Sequence, residues 1–321
     1  MMARRVRTLL AVAVALALVA WMATRVPFDL VWLRARELPG WVWPGAMLGL
    51  FMTYVLRAGR LHAEWAGRVA PNFRECLTVT LVHNAAINLL PMRAGEASYP
   101  WLLHRRWGIP VAEAGFSLLW LRLQDALVLA LAGIALLPWA PWWLRCAVAL
   151  LLAAAGALLA PQAIVRLRHL LLRWAGAAKA ADPPSSRAAR WAPRWRRLAD
   201  ALGAGRGGAA AWGFCVANWT LKLLVIGALL TGLADLSLWA GVAGALAGEL
   251  AAVLPVQAPA GIGTYEAGVW LGARSHTALP AGEVLGAALV VHALMLVLSW
   301  LCTLILPLMR TPAGVAKETL S

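Results

Sequence analysis

The sequence predicts an all-α polytopic membrane protein, with about six full transmembrane helices and two re-entrant, Gly/Pro-broken hairpins of opposite orientation, or else eight plain spans. Three observations predict it. Of 321 residues, 62% are apolar and only 13% charged, with a mean hydropathy of +0.73, which leaves no segment long and polar enough for a separate soluble catalytic domain. The apolar residues gather into runs of membrane-crossing length, separated by arginine-rich stretches. Two of these runs end in polar, interrupted segments, Pro91-Met-Arg-Ala-Gly-Glu96 and Pro255-Val-Gln-Ala-Pro-Ala-Gly-Ile-Gly-Thr-Tyr-Glu266. Broken backbone at membrane depth leaves peptide groups without helical partners, so it persists only where protein or a wet cavity shelters it. Paired breaks of this kind point to a transporter's binding site.

Taken in order, the first run covers 8–25 and follows Arg4, Arg5 and Arg7. It has the outline of a signal peptide, but Trp21 and Met22 stand where a cleavage site needs small residues, so it reads as an uncleaved helix with a cytoplasmic N-terminus. A second span, 41–59, leads into 57–74, whose Arg57, Arg60, Arg68 and Arg74 mark the cytoplasmic side. The run 75–92 ends in the first hinge. Because His104-Arg105-Arg106 is again cytoplasmic, 75–103 enters the membrane and returns on the same side.

Spans at 111–137 and 142–160 follow, then a basic cytoplasmic loop at 161–206 with ten Lys/Arg against Asp182 and Asp200. Within it, Arg187-Ala-Ala-Arg-Trp-Ala-Pro-Arg-Trp-Arg-Arg197 interleaves arginines with Trp191 and Trp195, which suits either a surface-lying, lipid-contacting segment or a plain topology-setting loop. A span at 208–233 precedes the run 237–256, which ends in the second hinge. The stretch 234–282 is nearly without Lys/Arg and enters and returns from the outside. The last span, 283–309, leads to Arg310 and Lys317, which keep the C-terminus cytoplasmic. Arg25, Arg34 and Arg36 in the linker 25–40 are the exception, offset only by Asp29 and Glu37. Residues 1–321 thus form a single transmembrane domain, with the hinge tips meeting near the midplane or, in the eight-span alternative, lying at the surfaces.

The net charge of +15 sits in the loops between apolar runs, as membrane topology requires, and argues against nucleic acid as a partner. Cys76, Cys146, Cys215 and Cys302 are scattered singly, without the C-x-x-C pairing of zinc or redox sites, and no metal or cofactor motif is present.

Ionisable groups inside a span are costly and normally face a bundle interior or a cavity. Asn84 and Asn88 share a helix face that leads through Pro91 to Arg93 and Glu96. Arg122 and Asp125 lie three residues apart near the middle of 111–137, an arrangement for an internal ion pair or for a phosphate fork. Asn218 and Lys222 are again one turn apart, Glu249 precedes the second hinge and Glu266 closes it. His292, with no acidic residue one turn away, reads as a structural hydrogen-bonding group. The stretch Ala258-Pro-Ala-Gly-Ile-Gly-Thr264 lacks the Lys-Ser/Thr ending of a nucleotide loop. Gly261 and Gly263 either let backbone amides approach an anionic headgroup, helped by a helix starting near Thr264, or form a simple turn.

Four segments together, Asn88-Leu-Leu-Pro-Met-Arg-Ala-Gly-Glu96, His104-Arg-Arg-Trp-Gly108, Arg122-Leu-Gln-Asp125 and Pro259-Ala-Gly-Ile-Gly-Thr-Tyr-Glu266, resemble the transmembrane domain of bacterial lysylphosphatidylglycerol synthases and its stand-alone relatives. The resemblance covers about 45–305 and departs from the commoner pattern at Leu121, where relatives often carry an acidic residue. In bifunctional members this domain is associated with flipping an aminoacylated lipid that a separate soluble domain makes. Stand-alone relatives are linked to hopanoids and lipid-linked glycans. The resemblance therefore implies a lipid translocator of the bacterial inner membrane, not an enzyme, without the synthetic half. Its headgroup path would use Asn84, Asn88, Arg93, Glu96, Arg122, Asp125, Lys222, Glu249, Gly261, Gly263 and Glu266. The expected partners are membrane lipids (an anionic or aminoacylated phospholipid, a hopanoid or a lipid-linked glycan), with self-association into a homo-oligomer left open and no cofactor. A membrane enzyme on a lipid phosphate and a scaffold for envelope glycosyltransferases are the alternatives. The first lacks a Ser or His nucleophile beside the hinge charges, apart from Ser98 and Thr264.

Overall fold

The computed structural model describes Thr24 and residues 26–89, 91–180, 208–253 and 259–305, with short stretches between 192 and 200; side chains at 89, 91–93, 153–164, 178–180, 259, 303 and 305 are not among those described. All of the expected helix at 8–25 but Thr24, the second hinge's 255–258, most of the Arg/Trp-rich segment and everything after 305 thus lie outside the described residues. The protein is an all-α polytopic membrane protein. Its helices are α1 (Phe28–Glu37), α2 (Val42–Trp65), α3 (Phe73–Leu89), α4 (Ser98–Trp107), α5 (Val111–Ala135), α6 (Trp142–Ala180), α7 (Gly208–Ala234), α8 (Leu238–Ala251), α9 (Thr264–Ala273) and α10 (Ala281–Ile305), with short 3₁₀ turns at Pro91–Ala97 and Pro259–Gly261.

Among the described residues, α5, α7 and the Ala281–Cys302 part of α10 are long and apolar enough to cross a membrane. Large apolar side chains such as Leu123, Trp142, Leu150, Val216 and Leu304 stand exposed on the outer faces of this bundle, as lipid-facing residues do. Three boundaries differ from the hydropathy pattern. Helix α1 lies inside the supposed linker 25–40, too short to span and carrying Asp29, Arg34 and Arg36, so no apolar run announces it. Helix α6 runs unbroken for 39 residues, and 161–180 of the expected loop is therefore helical. Helix α2 continues to Trp65, placing Arg57 and Arg60 on its inward-turned end rather than in a solvated basic segment.

Two helical hairpins sit within the bundle. At roughly 1.5 Å per residue, α8 and α9 reach about 21 and 15 Å, well short of a hydrocarbon core of about 30 Å. They pack antiparallel through small residues: a Cβ on Gly268 would meet Ala251 and the Ala247 carbonyl, and one on Gly248 would meet Tyr265 and Val269. Close backbone approach of this kind replaces the hydrophobic drive that lipid cannot supply between helices. The hydroxyl of Ser237 caps α8 by accepting from the Ala240 N–H at 3.2 Å.

In the other hairpin, α3 folds back through the turn Pro91–Ala97 into α4. His83 Nδ1 lies 2.8 Å from Ser98 Oγ, and Gly95 sits so tightly on α3 that a Cβ there would enter the backbone of Ala86 and Ile87. Helix α4 stops at Gly108, whose φ of +67° forms a left-handed C-cap with its N–H on the His104 carbonyl. Helix α7 anchors the main core, packed on α2, α8 and α10, with Ile226 and Leu230 fully buried. The two broken turns touch each other, and Pro259–Gly261 also rests on α3.

Candidate functional site

Where the two turns meet, α2, α3, α5, α7, α8, α9 and α10 line a cavity of about 620 Å³. Its polar lining comes from short segments that sequence distance conceals: Arg57 from α2, Asn84 and Asn88 from α3, Glu96 from the first turn, Arg122 and Asp125 from α5, Lys222 from α7 and Glu249 from α8. The remainder is mostly apolar, including Leu118, Leu119, Leu250 and Met295. Such a mixture suits a polar headgroup joined to hydrocarbon better than a wholly polar solute.

Asp125 is the hub. Its Oδ1 accepts from Arg60 Nη1 at 2.7 Å, from Trp219 Nε1 at 2.9 Å and from Cys215 Sγ at 3.4 Å, while Oδ2 faces Arg122 Nη1 at 3.4 Å. Arg60 is buried and also donates from Nη2 to the Leu121 carbonyl at 2.7 Å and to Gln124 Oε1 at 2.8 Å. Its guanidinium therefore bridges α2 to α5 and completes most of its donor fork internally. Arg122 directs Nη2 to Glu96 Oε1 at 2.8 Å, tying α5 to the first turn. Of the two readings of the Arg122/Asp125 pair, the structure realises the ion pair, and it extends that pair to Arg60 and Glu96. The phosphate fork is already occupied by carboxylates.

Across the cavity, Lys222 Nζ donates to Glu249 Oε2 at 2.6 Å, closing α7 onto α8. Both side chains are largely buried, where a lone charge would be expensive and a pair is tolerated. Asn84 Nδ2 reaches Tyr54 Oη at 3.1 Å, and Asn88 Nδ2 reaches Ser299 Oγ at 2.9 Å. The two asparagines on one face thus staple α3 to α2 and α10.

The second turn behaves differently from an anion cradle. Gly261 borders the cavity, but Gly263 and Glu266 do not. Glu266 is fully buried: its Oε2 accepts from the Gly263 N–H at 2.7 Å, and its Oε1 lies 2.7 Å from His292 Nδ1. The N-terminus of α9 is thereby capped by its own carboxylate, which occupies the positive end that a headgroup was expected to use. Ala260, Gly261 and Gly263 adopt φ of +59°, +76° and +85°, so the turn depends on left-handed backbone at three of four positions. His292 does have an acidic partner. It comes from α9 rather than from its own helix, and no one-turn rule could find it. Arg93 lies on the first turn, and its side chain is outside the described residues.

Sequence reasoning missed Arg57, Arg60 and Tyr265. The arginines were hidden by position, since they follow an apolar run and precede Arg68 and Arg74, the pattern of a cytoplasmic flank. The one available signal was helical register: 57 and 60 are three apart and continue the face of Thr53 and Tyr54, both buried. A second buried network joins Ser117, whose Oγ donates to Glu64 Oε1 at 2.6 Å, with Tyr99 Oη at 2.9 Å. Arg68 pairs with Glu113 nearby. Among the described residues, no three His, Cys, Asp or Glu side chains converge as a metal set would require.

The family model for the lysylphosphatidylglycerol synthase TM region matches residues 8–305. No curated protein and no solved structure matches the chain.

Proposed function

This chain belongs to the lysylphosphatidylglycerol synthase TM-region family, and on that premise we propose that it is a lipid translocator of the bacterial inner membrane. A polar headgroup passes through the cavity between the two broken turns while its acyl chains stay in the bilayer. In this reading α3–α4 and α8–α9 are re-entrant hairpins that enter from opposite faces, both termini are cytoplasmic, and the protein makes and breaks no covalent bond.

The observation that carries the reading is the convergence of both turns on one cavity lined by Glu96, Arg122, Asp125, Lys222 and Glu249. Charges at hydrocarbon depth are expensive, and ones that line a space mark a pathway for polar groups. The ion pairs Arg122–Glu96 and Lys222–Glu249 each join an element of one hairpin to a spanning helix. Exchanging such a pair for contacts with a headgroup would loosen the hairpin and open a path, which is the logic of a gate built from charges.

The test is purified protein in liposomes containing headgroup-labelled phospholipids, read by the fraction of label accessible to a membrane-impermeant quencher. The wild type accelerates exchange between leaflets. Exchange at the rate of protein-free liposomes, for every headgroup class supplied, would reject the proposal.

A further inference from the structure

Among the described residues, three Arg and Lys side chains face the cavity, and they are not equivalent. Arg122 is taken by Glu96 and Asp125, and Lys222 by Glu249. Arg57 meets only neutral amides among the described residues: its Nε lies 3.3 Å from Asn218 Oδ1 and its Nη1 3.4 Å from Asn84 Oδ1. Both contacts are long for a guanidinium, whose bonds to carboxylate or phosphate run to about 2.7–2.9 Å. Its Cζ lies 5.9 Å from the centroid of the Trp219 ring and Lys222 Nζ lies 5.5 Å from it, so two cations share one aromatic ring. Asp125 is near enough to act on Arg57 through space, but among the described residues no carboxylate reaches it within ion-pair distance, and a half-buried guanidinium left so is the costly state that membrane interiors otherwise avoid.

A second observation points the same way. Tyr265 lines the same cavity and is almost wholly buried, yet its hydroxyl has no hydrogen-bond partner among the described residues. Buried polar atoms are nearly always satisfied, and those that are not mark an absent ligand or water. Meanwhile, among the described residues, every carboxylate facing the cavity is already engaged: Glu96 by Arg122, Asp125 by Arg60 and Arg122, Glu249 by Lys222. An ammonium entering here would have to break an existing pair, whereas an anion would complete an incomplete one.

We infer that Arg57 is an anion anchor, with Tyr265 as an auxiliary donor, and that the protein selects lipids whose phosphodiester headgroup carries a net negative charge over zwitterionic or aminoacylated ones. The word lipid rests on the translocator reading; the anion site itself does not.

The experiment titrates the full chain in neutral maltoside micelles with short-chain phosphatidylglycerol, phosphatidylethanolamine and lysylphosphatidylglycerol, following tryptophan fluorescence and thermal shift. Glycerophosphoglycerol and inorganic phosphate serve as water-soluble controls. Phosphatidylglycerol is expected to bind about tenfold more tightly than the other two lipids, the size of one charge-assisted contact. Arg57→Gln should erase that preference, and Arg57→Lys, which keeps the charge but not the fork, should retain part of it. Tyr265→Phe, which removes only the hydroxyl, should weaken phosphatidylglycerol binding about threefold and covers the case in which Arg57→Gln fails to fold. Equal binding of all three lipids by the wild type, or an unchanged preference in Arg57→Gln or in Tyr265→Phe paired with Arg57→Lys, would overturn the inference. Soluble phosphodiester binding as tightly as the lipid would overturn the lipid assignment. Selective binding without any leaflet exchange in liposomes would sink the translocator reading and leave the anion site standing. Exchange of every lipid alike, with equal binding, would do the reverse.

Discussion

Replacing Asp125 by Asn tests whether the charge hub holds the cavity together. The substitution keeps the side chain's shape but removes the charge opposite Arg60, whose side chain is 6% exposed against 14% for Asp125. Loss of a hydrogen bond between charged groups costs roughly 1.5–3 kcal/mol. Stranding a buried partner charge raises the figure to about 3–5 kcal/mol. Arg60 keeps two neutral acceptors, the Leu121 carbonyl and Gln124 Oε1, which offset part of that loss. With its oxygen kept on Arg60, Trp219 and Cys215, the Asn amide sets its N–H₂ against the Arg122 donor that Oδ2 now meets. The expected net loss is therefore about 3 kcal/mol. It is measured by SDS-driven unfolding in mixed micelles. The paired variant Arg60→Gln with Asp125→Asn should lose less than the sum of the singles by about 1.5 kcal/mol or more, because neither charge is then stranded. A single-variant loss below about 0.5 kcal/mol, or strict additivity, would refute the reasoning, since that is the scale of an exposed pair.

Three further perturbations address other parts of the account. Gly95→Ala would drive a Cβ into the backbone of Ala86 and Ile87, so the first turn cannot close; protease sensitivity between α3 and α4 should rise, with a stability loss of about 2 kcal/mol or more. Glu266→Gln retains an acceptor for the Gly263 N–H but loses the carboxylate facing His292, and should destabilise by about 1–2 kcal/mol, non-additively with His292→Phe in the same unfolding assay. Glu96→Gln removes the charged tie by which Arg122 holds the first turn closed without changing packing, and should speed leaflet exchange in liposomes about tenfold while expression stays near wild type.

Much of the fold was legible because the bilayer simplifies the rules. Apolar runs of sufficient length locate α5, α7 and α10, and glycine with proline locates the two turns, since in hydrocarbon any break in hydrogen bonding must be sheltered. Six of the cavity's charged or amide groups were legible for a related reason: Asn84, Asn88, Arg122, Asp125, Lys222 and Glu249 interrupt apolar stretches, where only an interior environment makes them tolerable. Their partners were not legible. The bonds of Arg122 to Glu96, Lys222 to Glu249 and His292 to Glu266 each span 26 or 27 positions, and helix-face rules reach only three or four. Arg57 and Arg60 went unrecognised because an arginine just past an apolar run has two solutions, a cytoplasmic flank or an inward-facing helix end, and composition is the same in both. Glu266 illustrates the opposite error. A carboxylate closing a glycine-rich turn looked available to a headgroup, whereas it is spent on the helix terminus beside it.

The most direct measurement of the central claim places a photoreactive group on the phospholipid headgroup, reconstitutes the full chain in nanodiscs, and maps the adducts by mass spectrometry. Passage through the cavity predicts labelling of inward residues from several helices at once, such as Leu50 on α2, Leu118 on α5 and Met295 on α10, competed away by unlabelled lipid. Adducts confined to outward-facing residues such as Trp101, Trp142, Trp300 and Leu304, with the cavity unlabelled, would contradict the account.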